Sequence, residues 1–256
     1  MTDHLVIPDC HADPNYSNER FTWIGNIAID RRPQVIVCLG DFTDMNSLCS
    51  YDKGKKDFEG RRYKNDIACA RDALTRINKP IDDFNEQQRK NKKALYKPHK
   101  VMLLGNHEHR IDRVVQYQPE LDGTLSVDDL CYQEFGWEVH PYTKLVCIDG
   151  IWYVHCLMTR NGQPVSGDNL GASLLHKQHV STTVGHSHFL DYSRRALPDG
   201  KAIHGLSAGC FIDYDPPYAD GSSNSWWRGL VYKHNVDAGD YDLELINMKK
   251  VRQIYG

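Results

Sequence analysis

Five short polar blocks along the chain carry the residue types that hold divalent cations: Asp9 with His11, Asp41 with Asp44, the run Asn106-His107-Glu108, His155, and His186 with His188. Carboxylates, imidazoles and an amide oxygen are the donors that borderline metals accept, and a carboxylate can bridge two of them. Each block ends an apolar run, at residues 5–8, 35–39, 101–104, 151–154 and 182–184. Short apolar runs that stop at a glycine or a polar group read as buried strands. The carboxyl ends of strands in an α/β protein are where ligands bind. Five such ends finishing in Asp, Asn or His predict one shared metal site.

The elements that would position these groups are those of a single α/β domain over residues 1–256. The chain has 256 residues and a 40% hydrophobic composition, enough for one substantial core. Residues 12–32 carry apolar positions at helical spacing and predict a helix crossing to a second parallel strand. The first strand follows Met1 almost at once and no apolar run is long enough to span a bilayer, so a soluble, cytoplasmic protein without membrane partners is expected. Eight cysteines include no C-x-x-C pair, and several lie inside apolar runs, which reads as buried free thiols. Cys10 sits between two candidate ligands and is taken as a spacer, since alternate residues of an extended segment face opposite ways.

The order D-x-H, G-D-x-x-D, G-N-H-E, a lone His and G-H-x-H resembles the calcineurin-like metallophosphoesterase superfamily, with all five blocks present in order between Asp9 and His188. The resemblance implies a four-layer sandwich of two mixed β-sheets flanked by helices. It also implies two divalent metal ions, manganese foremost, with iron, zinc, cobalt or nickel as alternatives. Asp9, His11, Asp41 and His188 would hold one, and Asp41, Asn106, His155 and His186 the other. The implied reaction is hydrolysis of phosphate esters by in-line attack of a metal-bridging hydroxide. His107 would give a proton to the leaving oxygen, Asp44 would fix its tautomer, and Arg110 would reach a substrate phosphate. Three departures stand out, the first two being Cys156, which follows His155 where the family often has glycine, and Met45, which stands where the protein-phosphatase branch has arginine. Glu108 departs from the G-N-H-D of the nuclease branch. In its general build the chain looks most like phage-encoded members. His4, His99, His140, His204 and His234 are read as core or surface residues.

Residues 46–100 set this chain apart, with fifteen basic and eight acidic side chains in a protein whose formal net charge is -3. A loop over 51–62 and two helices, 63–77 and 81–95, divided at Pro80, are expected. A clamp for a phosphodiester backbone, as on nucleic acid or a nucleotide, competes with a solvated helical surface, and the surface reading is favoured. On this insertion alone phosphodiesters are placed slightly ahead of monoesters such as nucleotides or phosphoproteins. Arg110 could instead pair with Asp112 or Glu138. The aromatics of the loop 210–227 are expected to pack it down rather than to wall a pocket. Residues 189–206 read as a hairpin, and 229–254 as strands closing the second sheet. A catalytically silent metal-binding scaffold is the rival from another class; it predicts missing ligands, and none is missing.

Overall fold

The computed structural model describes residues 1–219 and 221–256. Its first sheet has six strands in the order β11-β10-β1-β2-β3-β4, formed by β1 (Thr2–Ile7), β2 (Val35–Cys38), β3 (His99–Leu103), β4 (Glu138–His140), β10 (Gly229–Asp237) and β11 (Asp240–Asn247). Strands β1 to β4 run parallel, and β10 and β11 are antiparallel additions at the β1 edge. The second sheet has the order β5-β6-β7-β9-β8, from β5 (Val146–Ile148), β6 (Ile151–Val154), β7 (Thr182–Val184), β8 (Leu190–Ala196) and β9 (Ala202–Ala208). Its centre, β6-β7-β9, is parallel, and both edges are antiparallel.

Strand alternation sorts the core into layers. Val6, Val37, Leu39, Val101 and Leu103 face the second sheet and meet Ile151, Tyr153, Leu206 and Ala208. Their neighbours Leu5, Ile7, Ile36 and Met102 point outward, onto helices α1 (Glu19–Arg31), α2 (Tyr63–Lys90) and α5 (Met248–Tyr255). On the far side, α4 (Leu170–Gln178) packs Leu170 and Leu174 against Val154 and Val184. Helix, sheet, sheet, helix is the expected four-layer arrangement. Among the described residues no helix is long and apolar enough to cross a membrane.

Three expectations are corrected. Residues 46–100 hold one α-helix, not two: α2 runs through Pro80 without a break and ends at Lys90. Helix α1 crosses it closely there, and a Cβ on Gly25 would strike the Ile77 carbonyl and the Pro80 ring. Packing of α1 on this stretch holds the helix together where local propensity would divide it. The last two strands join the first sheet rather than the second, because β10, buried from Gly229 to Lys233, pairs with β1. Residues 248–255 are helical, started by Asn247, whose side chain accepts from the Lys249 N–H at 2.9 Å. Val251 on that helix is fully buried.

Candidate metal centre

The five polar blocks converge at the carboxyl ends of β1, β2, β3, β6 and β7. Asp9, after β1, is fully buried; its Oδ2 accepts from the His186 N–H at 2.8 Å and lies 3.2 Å from His188 Nε2. Asp41, after β2, points Oδ2 at His155 Nε2 (3.4 Å) and His11 Nε2 (3.7 Å). Asn106 Oδ1, after β3, meets His155 Nε2 at 2.9 Å and His186 Nδ1 at 2.8 Å. The other nitrogen of His155 bonds the Leu39 carbonyl at 2.9 Å, which turns Nε2 toward the site.

Ligand atoms fall into three overlapping groups: Asp9, His11 and His188; Asp41, His155 and His186; and His11, Asp41 and His107. Two buried atoms, Asp9 Oδ1 and His11 Nε2, have no hydrogen-bond partner among the described residues. Orphaned polar atoms are costly in a protein interior, and both belong to the first of these donor groups. They are what a cation would satisfy, so the donor set fits divalent metal.

The backbone is shaped to this end. His11, Asp41, His186 and His188 all have φ between 47° and 68°, the left-handed region that side-chain-bearing residues seldom occupy. Strain of this kind clusters at functional sites and persists only where the surroundings hold it. Here the Asp41 carbonyl accepts both the Cys10 and the His11 N–H, at 3.0 and 2.9 Å. The glycines of two blocks have a second use: a Cβ on Gly105 would overlap the Asp41 carboxylate, and one on Gly185 would overlap that of Asp9.

The family model for calcineurin-like phosphoesterase matches residues 4–243. This chain belongs to that family. No curated protein matches it. Among solved structures, Yfce, a phosphoesterase from E. coli, aligns with 14% identity over 96% of this chain and 100% of its own, with a TM-score of 0.37. The chain is a metal-dependent phosphoesterase, a hydrolase, by family and by donor chemistry.

Around the phosphoesterase centre, His107 Nδ1 lies 2.6 Å from Asp44 Oδ1, which also meets His11 Nδ1 at 3.2 Å. Burial raises the Asp44 carboxyl, but the hydrogen bonds from His107 and His11 outweigh it and hold it well below the usual range. Burial also opposes charge on His107; the Asp41 and Asp44 carboxylates prevail and raise its affinity for a proton. His11 is driven the other way by burial and by the neighbouring His107. Arg110 pairs with neither Asp112 nor Glu138. Its guanidinium bonds the Asp44 carbonyl at 2.7 Å and comes within 3.2 Å of His107 Nε2.

Glu108 is the residue to which sequence reasoning gave no task. Fully buried, its carboxylate accepts from the backbone N–H groups of Asp41, Phe42, Thr43 and Gly105 at 2.8–3.1 Å, and from the Tyr132 hydroxyl at 3.2 Å. It locks the β2 and β3 loops together. Its place directly after Asn106 and His107 was the one available signal. Cys10 turns its sulfur to the Pro8 carbonyl at 3.1 Å, away from the ligand atoms.

The aromatic loop divides its tasks. Tyr214 packs it down, stacked on Tyr16 at 3.7 Å and bonding the His11 carbonyl at 2.7 Å. Trp226 stands edge-on to His188 at 4.3 Å, and Tyr218 lines a cleft beside Asp44. Position 220 of this loop lies outside the described residues.

Proposed function

We propose that the chain is a two-metal phosphodiesterase, with manganese the foremost candidate metal. The observation that supports it is Asp41 Oδ2, which faces His11 from one donor group and His155 from the other. A carboxylate in that position is the kind that bridges two cations. Asp9, His11, Asp41 and His188 would hold one metal, and Asp41, Asn106, His155 and His186 the other. Together the metals would supply an activated water and neutralise the phosphoryl oxygens.

The protein's own groups complete the chemistry. His107, with its proton affinity raised by two carboxylates, would protonate the leaving oxygen, a contribution of about 10²- to 10⁴-fold. Asp44 would hold the ring in place through Nδ1. Arg110, beside the same ring, would pair with a phosphoryl oxygen.

The preference for diesters no longer leans on the basic insertion. Helix α2 has 28 residues, so it extends roughly 42 Å, and its basic C-terminal end lies far from the site. Only Lys55, Arg61 and Arg62 of the insertion's cations line the cleft at Asp44, and Arg61 is taken by Asp52 at 2.8 Å. Diesters are favoured instead because clefts open on two flanks of the centre, room for two ester substituents.

The test compares manganese-supported hydrolysis of bis-p-nitrophenyl phosphate and p-nitrophenyl phosphate, alongside metal content per chain. Two metals in the wild type and faster diester cleavage, lost in His107→Ala, are expected. One metal per chain would overturn the two-metal reading, and a faster monoester would overturn the diester reading.

A further inference from the structure

Two clefts border the metal centre, and their chemistry differs. The first, about 600 Å³, runs from Asp44 past the turns of residues 52–62 to Tyr218; its carboxylates, Asp13, Asp44, Asp52, Asp57, Glu59 and Asp66, outnumber its cations Lys55, Arg61 and Arg62. The second, about 650 Å³, starts at His186 and Ser187 and lies between residues 163–170 and the start of β8. Pro164, Val165, Leu170, Phe189 and Leu190 give it apolar walls. Its carboxylates are Asp168 and Asp191, and no Lys or Arg lines it among the described residues.

Phe189 is the informative residue. It is 47% exposed, a large apolar ring left in water beside a catalytic centre. Yet its backbone is fixed: the carbonyl accepts from Ser207 Oγ at 2.8 Å, and the N–H donates to Ser187 Oγ at 3.3 Å. An uncovered ring on a fixed backbone is a platform that gains when an apolar group covers it.

His107 and Asp44 stand on the flank of the first cleft, so the alcohol that receives the proton departs there. The geometry points to the Phe189 cleft as a subsite for the ester substituent that stays on phosphorus, and to an uncharged apolar or aryl group as that substituent. The assignment rests on the diesterase reading. In the reaction, water's oxygen bonds to phosphorus and the P–O bond to the leaving alcohol breaks. That oxygen takes the proton from His107; of water's two protons one returns to His107 through solvent and the other goes to the new phosphate oxygen or to solvent, and the retained group leaves as its monoester. A nucleic-acid strand fits poorly, since its next phosphate would meet two carboxylates and no cation.

Three diesters sharing p-nitrophenol as leaving group, with methyl, phenyl or 4-carboxyphenyl as the retained substituent, test this. In manganese-loaded wild type the phenyl ester is expected to exceed the methyl ester by about tenfold or more in kcat/KM, chiefly through KM, with the carboxyphenyl ester far behind. Phe189→Ala, at an exposed position, should remove the phenyl advantage and leave the methyl ester unchanged; Val165→Asp should do the same. Asp168→Lys should recover the carboxyphenyl ester. Equal turnover of methyl and phenyl esters in the wild type, or a phenyl advantage that survives both variants, overturns the subsite alone. Turnover of p-nitrophenyl phosphate with none of the three diesters overturns the diesterase reading and the subsite with it.

Discussion

Two buried histidine clusters lie between or beside the same sheets and have opposite characters. In one, His4 bonds the Tyr153 hydroxyl at 2.8 Å and Asp149 at 2.9 Å, while Lys233 donates to Thr183 Oγ1 at 2.5 Å between the rings of Tyr153 and Tyr241. His204 is likewise held at both nitrogens, by Tyr192 at 2.8 Å and Asp240 at 2.7 Å. In the other, a few residues beyond the end of β1, His11 Nε2 and Asp9 Oδ1 have no partner among the described residues, and four residues are held at positive φ. The first cluster holds both of its histidines at both nitrogens and leaves only the Tyr241 hydroxyl without a partner among the described residues, whereas the second leaves metal-ligand atoms themselves unpaired.

The contrast can be broken by variants that should act on one cluster only. The largest effect belongs to Asp41→Asn, which should lower hydrolysis by more than the about 10²- to 10⁴-fold lost in His107→Ala. Wild type should also gain about 2.7 kcal/mol of stability at metal concentrations 100 times Kd, measured by melting with and without metal, and Asp41→Asn should not. Next comes pH. Burial pushes the His4 imidazole down from 6.5 to about 4. Between those values the unfolded chain binds more protons, so stability is full above about 6.5 and falls as pH drops toward 4, by on the order of 3 kcal/mol. Urea unfolding at pH 7.5 and 5 should show a shallower loss in His4→Gln, and an unchanged loss would remove His4 from the account. The smallest is Tyr153→Phe, which deletes a hydroxyl serving both His4 and Lys233. It should cost about 1 to 2 kcal/mol and leave kcat unaltered; a change in kcat would show that the two clusters communicate.

The convergence of the five polar blocks was the more legible half of this chain. Asp9, His11, Asp41, Asn106, His155, His186 and His188 each follow an apolar run that reads as a strand, and the carboxyl ends of strands in the two facing sheets meet in one place. His4 and His204 were separable from them because neither ends such a run. Glu108 was not legible, because no local pattern distinguishes a carboxylate that binds backbone from one that binds metal or solvent. The layers followed from alternation, whereas helix α2 did not: Pro80 carries a local signal for a break, and only the approach of Gly25, distant in sequence, outweighs it. The destination of β10 was equally hidden, since pairing partners of a strand are set by the sheet edge left free and not by the strand's own residues.

Glu108 has a thermodynamic consequence. Its five hydrogen bonds fix the two loops that carry Asp41 and Asn106 as part of folding itself. The entropy of ordering those ligands is therefore spent before any ion arrives. A cavity whose walls are set in advance selects ions by radius and coordination number, and it can lose one ion and accept another without melting a loop.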